Sequence, residues 1–239
     1  MEKAGLDQRF LPHVFQAKKV RVMCPNGNAD LTRSLILNAA TRIISQDGLQ
    51  ALTAGRLIAE AGVSKGGLYH HFRTMTEVEL EVLQLLSSKL LLTLQGYQAP
   101  QTKEEFLDRI ETEFFDCLIT QDETARALFG YVSSASYNQQ IQVLLRQLQD
   151  DISLQRLQLL QKLSAGTSTA SLQNTVQMIA TIQAGLMMRF YVSEDPVSVR
   201  NYWRTCRVSL DELLGIKDQS DLSWEIVQAP PTPIPSICS

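Results

Sequence analysis

Cysteine is scarce in this chain of 239 residues, and Cys24, Cys117, Cys206 and Cys238 are scattered without a C-x-x-C spacing. That excludes a disulfide framework or a zinc framework and fits reduced thiols. Long apolar runs are missing as well. Stretches such as residues 90–94 fall far short of the ~20 apolar residues of a membrane span, and no apolar segment near the N-terminus reads as a secretory signal. A cytoplasmic chain with no membrane partner is expected. The alternation of apolar and polar residues that marks strands is absent, and with it an α/β sheet. Excess positive charge is lacking too: the formal net charge is −3, which alone argues against a nucleic-acid partner.

What is present is helical periodicity in a chain that is 44% apolar and 20% charged. That suffices for a sizeable core and one or two domains. Charge is unevenly spread. Residues 1–80 hold 10 Lys and Arg against 7 Asp and Glu, whereas residues 81–239 hold 12 against 18. A basic end beside an acidic remainder can mark a nucleic-acid-binding segment, although this asymmetry is modest.

Residues 53–72, TAGRLIAEAGVSKGGLYHHF, organise the rest. They read as two short helices joined by a tight turn. Thr53 and Ser64 are N-caps, residue types whose hydroxyls satisfy free backbone N–H groups. Gly62 supplies the left-handed conformation that ends a helix. Leu57, Ile58 and Ala61 share one face, Val63 plugs the turn, and Leu68 and Phe72, four apart, point inward. Lys65, Gly67, Tyr69, His70 and His71 are left on the other faces. A braced short helix presenting Lys, Tyr and His outward is a helix-turn-helix signature.

The run AEAGVSKGGLYHHF resembles the DNA-binding signature of the tetracycline-repressor (TetR-like) family of bacterial transcription regulators. The resemblance covers residues 31–83, about a fifth of the chain; turn, caps, core positions and exposed aromatics agree in order and spacing. It implies an all-α fold with an N-terminal three-helix helix-turn-helix head and a C-terminal helical ligand-binding and dimerisation body. By position it implies that Tyr69 and His70 contact groove or phosphate and that His71 contacts phosphate. Family members often carry a phosphate-contacting Lys where this chain has Met75.

The segments expected are an N-terminal extension over 1–30, the DNA-binding head over 31–76, the effector-binding and dimerisation body over 77–216, and a disordered Pro-rich tail over 217–239. The extension carries the basic cluster Lys18, Lys19 and Arg21. It reads either as an arm that reaches DNA or as a leader, with Met23 a candidate start. The first helix is expected over 31–47, capped by Asp30, with Leu35, Ile36, Ala39, Ala40, Ile43 and Ile44 as its apolar stripe. Thr74-x-x-Glu77 is a capping box that opens the next helix, which carries apolar residues on more than one face as a connector would. Further helices are expected over 103–119, 122–137 and 139–163, the last with Gln, Asp and Arg on its polar side. Residues 171–192 are apolar nearly all round and should be buried on most sides. The last helix, 196–214, opens on Pro196, where a missing N–H costs little. The resemblance implies that these two helices form the homodimer interface.

The candidate DNA-binding residues are Thr53, Arg56, Ser64, Lys65, Gly66, Gly67, Tyr69, His70 and His71. The N-terminus of the second short helix suits a nearby phosphate, Lys65 suits a guanine edge or a phosphate, and Arg56 suits the backbone. Gly66 and Gly67, each up to about 1 kcal/mol worse than Ala in a helix, read either as close backbone approach to DNA or as loose capping. For a small-molecule effector the candidates are Phe114, Phe129, Tyr137 and Met187, an aromatic and Met set suited to an apolar cavity or to plain core. No metal site is expected, because adjacent His70 and His71 point about 100° apart on a helix. No cofactor is expected either.

Gly62-Val63-Ser64-Lys65-Gly66 matches G-x-S-x-G literally, but a nucleophile elbow needs a strand before the serine, and AEAG is helical. The chain is therefore expected not to be an enzyme. The reading is a sequence-specific regulator that binds double-stranded DNA at a pseudo-palindromic operator. It is expected to be a repressor released by a small-molecule effector. The alternative is a regulator or activator controlled by a protein partner, with no small ligand.

Overall fold

The computed structural model describes residues 27–119, 123–193 and 195–216, and their regular structure is helical throughout. The helices are α1 (Gly27–Asp47), α2 (Ala54–Ala61), α3 (Lys65–His71), α4 (Met75–Gln95) and α5 (Lys103–Ile119). They continue as α6 (Glu123–Ser134), α7 (Gln139–Leu163), α8 (Thr169–Ser193) and α9 (Pro196–Leu214). A 3-10 turn, Leu49–Ala51, links α1 to α2. The basic extension as far as residue 26 and the Pro-rich tail from residue 217 lie outside the described residues. No helix among the described residues is long and apolar enough to cross a membrane.

The helices form two compact packing units. The first gathers α1 to α4, α6 and α7 as far as Ile152; the second gathers α5 to Leu118, the rest of α7, α8 and α9. This division differs from the functional segments read from the sequence, because α4 and α6 pack on α1. The reason is compositional. One long helix with two short ones buries little apolar area, and Val78, Val82, Leu83 and Leu86 of α4, with Ala127, Leu128 and Tyr131 of α6, complete the core they begin. Gly130 marks how close α6 comes: a Cβ there would sit 3.4 Å from Ile44.

Two expectations for α1 change. The helix starts before Asp30, which lies inside its first turn, where a carboxylate favours the positive end of the helix dipole. Its buried apolar residues are Ile36, Leu37, Ala39, Ala40, Ile43 and Ile44, and Leu35, at the edge of that face, is exposed.

The second unit is built round Trp203, Phe106, Leu107, Ile110 and Ile179, all fully buried or nearly so. Trp203 keeps its indole N–H satisfied by donating to Glu111 at 2.9 Å. Glu111 also pairs with Arg200, whose guanidinium lies 4.1 Å from the Phe115 ring centre. Asp195 caps α9 through Val197 and Ser198, with Pro196 in the first turn as expected. These bonds hold the Asp195 carboxyl below its usual pKa. The expectation that α8 is buried on most sides does not hold within one chain. Val192 is 83% exposed and Met188 61%, and a Cβ on Gly185 would meet nothing within 4 Å.

Candidate nucleic-acid interface

The helix-turn-helix is held by four local devices. Thr53 caps α2 by accepting the Arg56 N–H at 3.4 Å. Gly62 ends α2 in the left-handed conformation, φ 64°, which an L side chain reaches only at a cost. Ser64 caps α3 by accepting the Gly67 N–H at 3.0 Å. Thr74 caps α4 by accepting from Glu77. The returning bond of that last box falls one residue early: the Glu77 carboxylate accepts the Arg73 N–H at 2.7 Å. Beneath these caps Leu57, Leu68 and Phe72 are buried and Val63 packs on the same core. Phe72 has left the helix for an extended conformation, yet its ring stays inside with the Arg33 guanidinium 5.0 Å from its centre.

This arrangement puts α3 on the outside. Lys65, Gly66, Tyr69 and His70 of α3 are exposed, and Gly67 and His71 partly so. The two histidine rings meet edge to face, 5.1 Å apart. Thr53 and Ser64 spend a lone pair on their caps, but a hydroxyl that accepts still has its proton to donate, so both can bond a phosphate oxygen without uncapping. Gly66 and Gly67 differ. A Cβ on Gly66 would lie 3.9 Å from the Ser64 hydroxyl, whereas one on Gly67 would press it at 3.3 Å. The protein's own packing thus restricts Gly67 and leaves Gly66 free.

Charge pairing sorts the cations. Arg33 pairs with Glu81, Arg42 with Glu60 and Arg56 with Asp47. Arg56 can therefore reach a phosphate only by sharing its guanidinium. The side chains of Lys65 and Arg73, at and just beyond the two ends of α3, make no ion pair among the described residues. Arg73 escaped the sequence reading, which looked for a cation at position 75. There Met75 tucks against the head's core, and Arg73 supplies an exposed charge two residues earlier. Its signal was its place directly after the inward-pointing Phe72.

The same Gly62-Val63-Ser64 segment lies between two helices, with its serine hydroxyl committed to a cap. It is not the strand-turn-helix of a nucleophile elbow.

The effector candidates do not fall in one place. Phe114 and Met187 belong to the core of the second unit, Phe114 stacked on Trp203 with ring centres 6.4 Å apart. Phe129 and Tyr137 belong to the first unit, and Tyr137 is 94% exposed in the turn between α6 and α7. The second unit also holds a polar cluster that sequence reasoning did not find. Glu113 is buried, bonds Arg109 at 2.6 Å and faces Arg156 at 3.6 Å, and Arg156 donates to Gln183 at 2.8 Å. Arg156 was expected on the polar side of its helix and is instead buried, with its Nε lacking a partner. Burial pushes its pKa down, and Glu113 opposes that shift.

A capped helix-turn-helix on an all-helical chain defines a class of DNA-binding proteins, and comparison with known proteins narrows it. Residues 36–82 match the family model of bacterial regulatory proteins of the tetR family. The chain is 34% identical over 71 residues to the HTH-type transcriptional regulator AcrR of Shigella flexneri, covering 30% of this chain and 33% of that protein. It is 37% identical over 54 residues to the HTH-type transcriptional regulator QacR of Staphylococcus aureus strain Mu50, covering 23% and 29%. These alignments span about a third of the curated relatives' length. Among solved structures, a TetR transcription regulator from Haloarcula marismortui superposes with a TM-score of 0.66 at 16% identity over 77% of this chain and 98% of that one. The multidrug binding protein EbrR, complexed with ethidium, superposes with a TM-score of 0.59 at 16% identity over 76% and 97%. Residues 36–82 are thus similar to the tetR family, and the fold of the chain is shared with solved structures that include a TetR regulator.

Proposed function

We propose that this chain is a sequence-specific, DNA-binding transcriptional regulator of the cytoplasm that works as a homodimer on a pseudo-palindromic operator. The observation that carries the reading is α3: a helix capped at Ser64, anchored by Leu68 and Phe72, presenting Lys65, Tyr69 and His70 to solvent. In this account α3 enters the major groove N-terminus first. Lys65, Tyr69 and His70 meet bases or phosphate, His71, Thr53, Ser64 and Arg73 meet phosphate, and Arg56 does so by sharing its charge with Asp47.

Dimerisation is supported by the face that α8 and α9 leave open. Met188 and Val192, four apart on α8, and Tyr202 and Leu213, eleven apart on α9, are exposed apolar or aromatic side chains that share a face of their helix, and exposed apolar faces of that kind suit an interaction surface. We assign repression, with release by a small-molecule effector. EbrR, similar in fold, has been solved with ethidium bound, which supports an effector here without naming one. An effector acts only through different affinities for the DNA-competent and DNA-incompetent states.

Three substitutions separate reading from folding. Tyr69→Ala should leave the melting temperature nearly unchanged and weaken specific DNA binding by about 1–3 kcal/mol, the size of one good base or groove contact. Binding measured by fluorescence anisotropy that stays at full strength removes Tyr69 from the interface. Arg73→Ala should weaken binding to all sequences alike and lower the salt slope by about 1, as for one phosphate contact. Gly66→Ala should raise thermal stability, by up to about 1 kcal/mol from helix propensity, because space is available at that Cβ, while DNA affinity falls. A rise in stability with unchanged affinity would mean that Gly66 is loose capping, not close approach.

A further inference from the structure

Within the first unit, behind the helix-turn-helix, lies a cavity of about 300 Å³. Its floor is apolar, from Leu49 and Leu52 of the α1–α2 connection and Ile141 of α7. Its polar lining is Glu79 of α4, Ser133 and Ser134 at the end of α6, and the amides of Gln50 and Asn138. Glu79 has no ion-pair or hydrogen-bond partner for its carboxylate among the described residues, and burial raises its pKa. Tyr131, fully buried, gives its hydroxyl to the Glu79 backbone carbonyl at 2.8 Å. Burial, and then the negative charge of Glu79, hold that phenol well above its usual pKa, so it stays neutral and does not compensate the carboxylate. A half-buried carboxylate without a counter-charge is costly. Here it stands beside two hydroxyls and an apolar floor.

We propose that this cavity binds a small organic cation, a primary ammonium group on an apolar body. The ammonium would donate to the Glu79 carboxylate and to the Ser133 and Ser134 hydroxyls, and the body would rest on Leu49, Leu52 and Ile141. Its three N–H donors match one charged and two neutral acceptors. An anion would meet Glu79 as a like charge, and a neutral alcohol would forgo the charge-assisted bond. The walls come from the connection into α2, from α4 and from the α6–α7 corner, so the ligand would brace the segment that carries α2. The binding itself does not depend on the DNA-binding reading; only its effect on the operator does.

The test uses the full chain without DNA. Isothermal titration with 2-phenylethylammonium is compared with its neutral and anionic analogues, 2-phenylethanol and phenylacetate, at equal millimolar concentration. The cation should bind, the alcohol should bind about tenfold or more weakly, and phenylacetate should not bind. Glu79→Gln should lower the cation's affinity by about tenfold or more, the loss expected for a hydrogen bond to a charged group. It should not lower the melting temperature, since it removes an uncompensated carboxylate. Ser133→Trp, which fills the cavity from an exposed position, should abolish binding. Undetectable binding of the cation, equal binding of cation and alcohol, or an unchanged affinity in either variant overturns the proposal.

Discussion

Glu113→Ala should destabilise the second unit by about 3–5 kcal/mol, the cost of removing one partner of a buried ion pair. Glu113 is buried, bonds Arg109 at 2.6 Å and faces Arg156 at 3.6 Å. Without it the Arg156 guanidinium keeps its bond to Gln183 but loses its counter-charge in a place water does not reach. A control separates pairing from simple loss of volume. Arg156→Met with Glu113→Leu removes the pair between the two helices at similar volume and leaves Arg109 its bond to the Gln98 carbonyl; it should recover part of the loss, since apolar replacements of buried pairs are often neutral or stabilising. Urea unfolding of the wild type and both variants reads the effect. If Glu113→Ala costs less than about 1 kcal/mol, the cluster is solvated and the burial argument fails.

Phe72→Ala should cost about 3–5 kcal/mol, the range for emptying a large aromatic site in a packed core. Phe72 is 1% exposed. It closes the head beneath α3, shares its core with Leu57 and Leu68, and carries Arg33 over its ring. Loss of DNA binding should therefore come with loss of helical circular dichroism at moderate temperature. Tyr69→Ala, three residues away on the exposed side, should lose binding with the helical signal intact. The pair distinguishes a residue that touches DNA from one that holds the helix that does. Phe72→Ala with a native melting temperature would contradict the placement of that ring.

How much of this was legible in the sequence depends on where the information lies. Helix ends are set locally, and the local signals spoke clearly. The expected spans 103–119 and 139–163 coincide with α5 and α7. The caps at Thr53, Ser64 and Thr74 are made as read, because each needs only a hydroxyl and a free N–H three residues on. The head's inward and outward faces followed from the same short-range geometry.

Long-range pairing was not legible. Arg109 and Glu113 are four apart, a spacing that usually means a solvated pair on a helix surface. Nothing local says that Arg156 of another helix closes over Glu113 and takes the pair into the core. The open face of α8 was missed for a related reason. Periodicity reports how many faces are apolar; it does not report whether the cover belongs to the same chain. Nor did aromatic content locate a cavity. Phe114 became core, Tyr137 became an exposed turn residue, and the cavity in the first unit was signalled only by Glu79, an acid between apolar neighbours on α4.

The central claim is that α3 reads base sequence as one half of a symmetric pair. Its most direct test is selection of bound sites from a random duplex pool by the purified full chain, followed by affinity measurements on the recovered sites across a salt series. The account predicts a palindromic motif with sharp base preferences. Its half-sites should lie about one helical turn, or a multiple of it, apart, and preference should survive at salt concentrations that remove non-specific binding. Recovery of no shared motif, with weak binding to every duplex that disappears as salt rises, would contradict it.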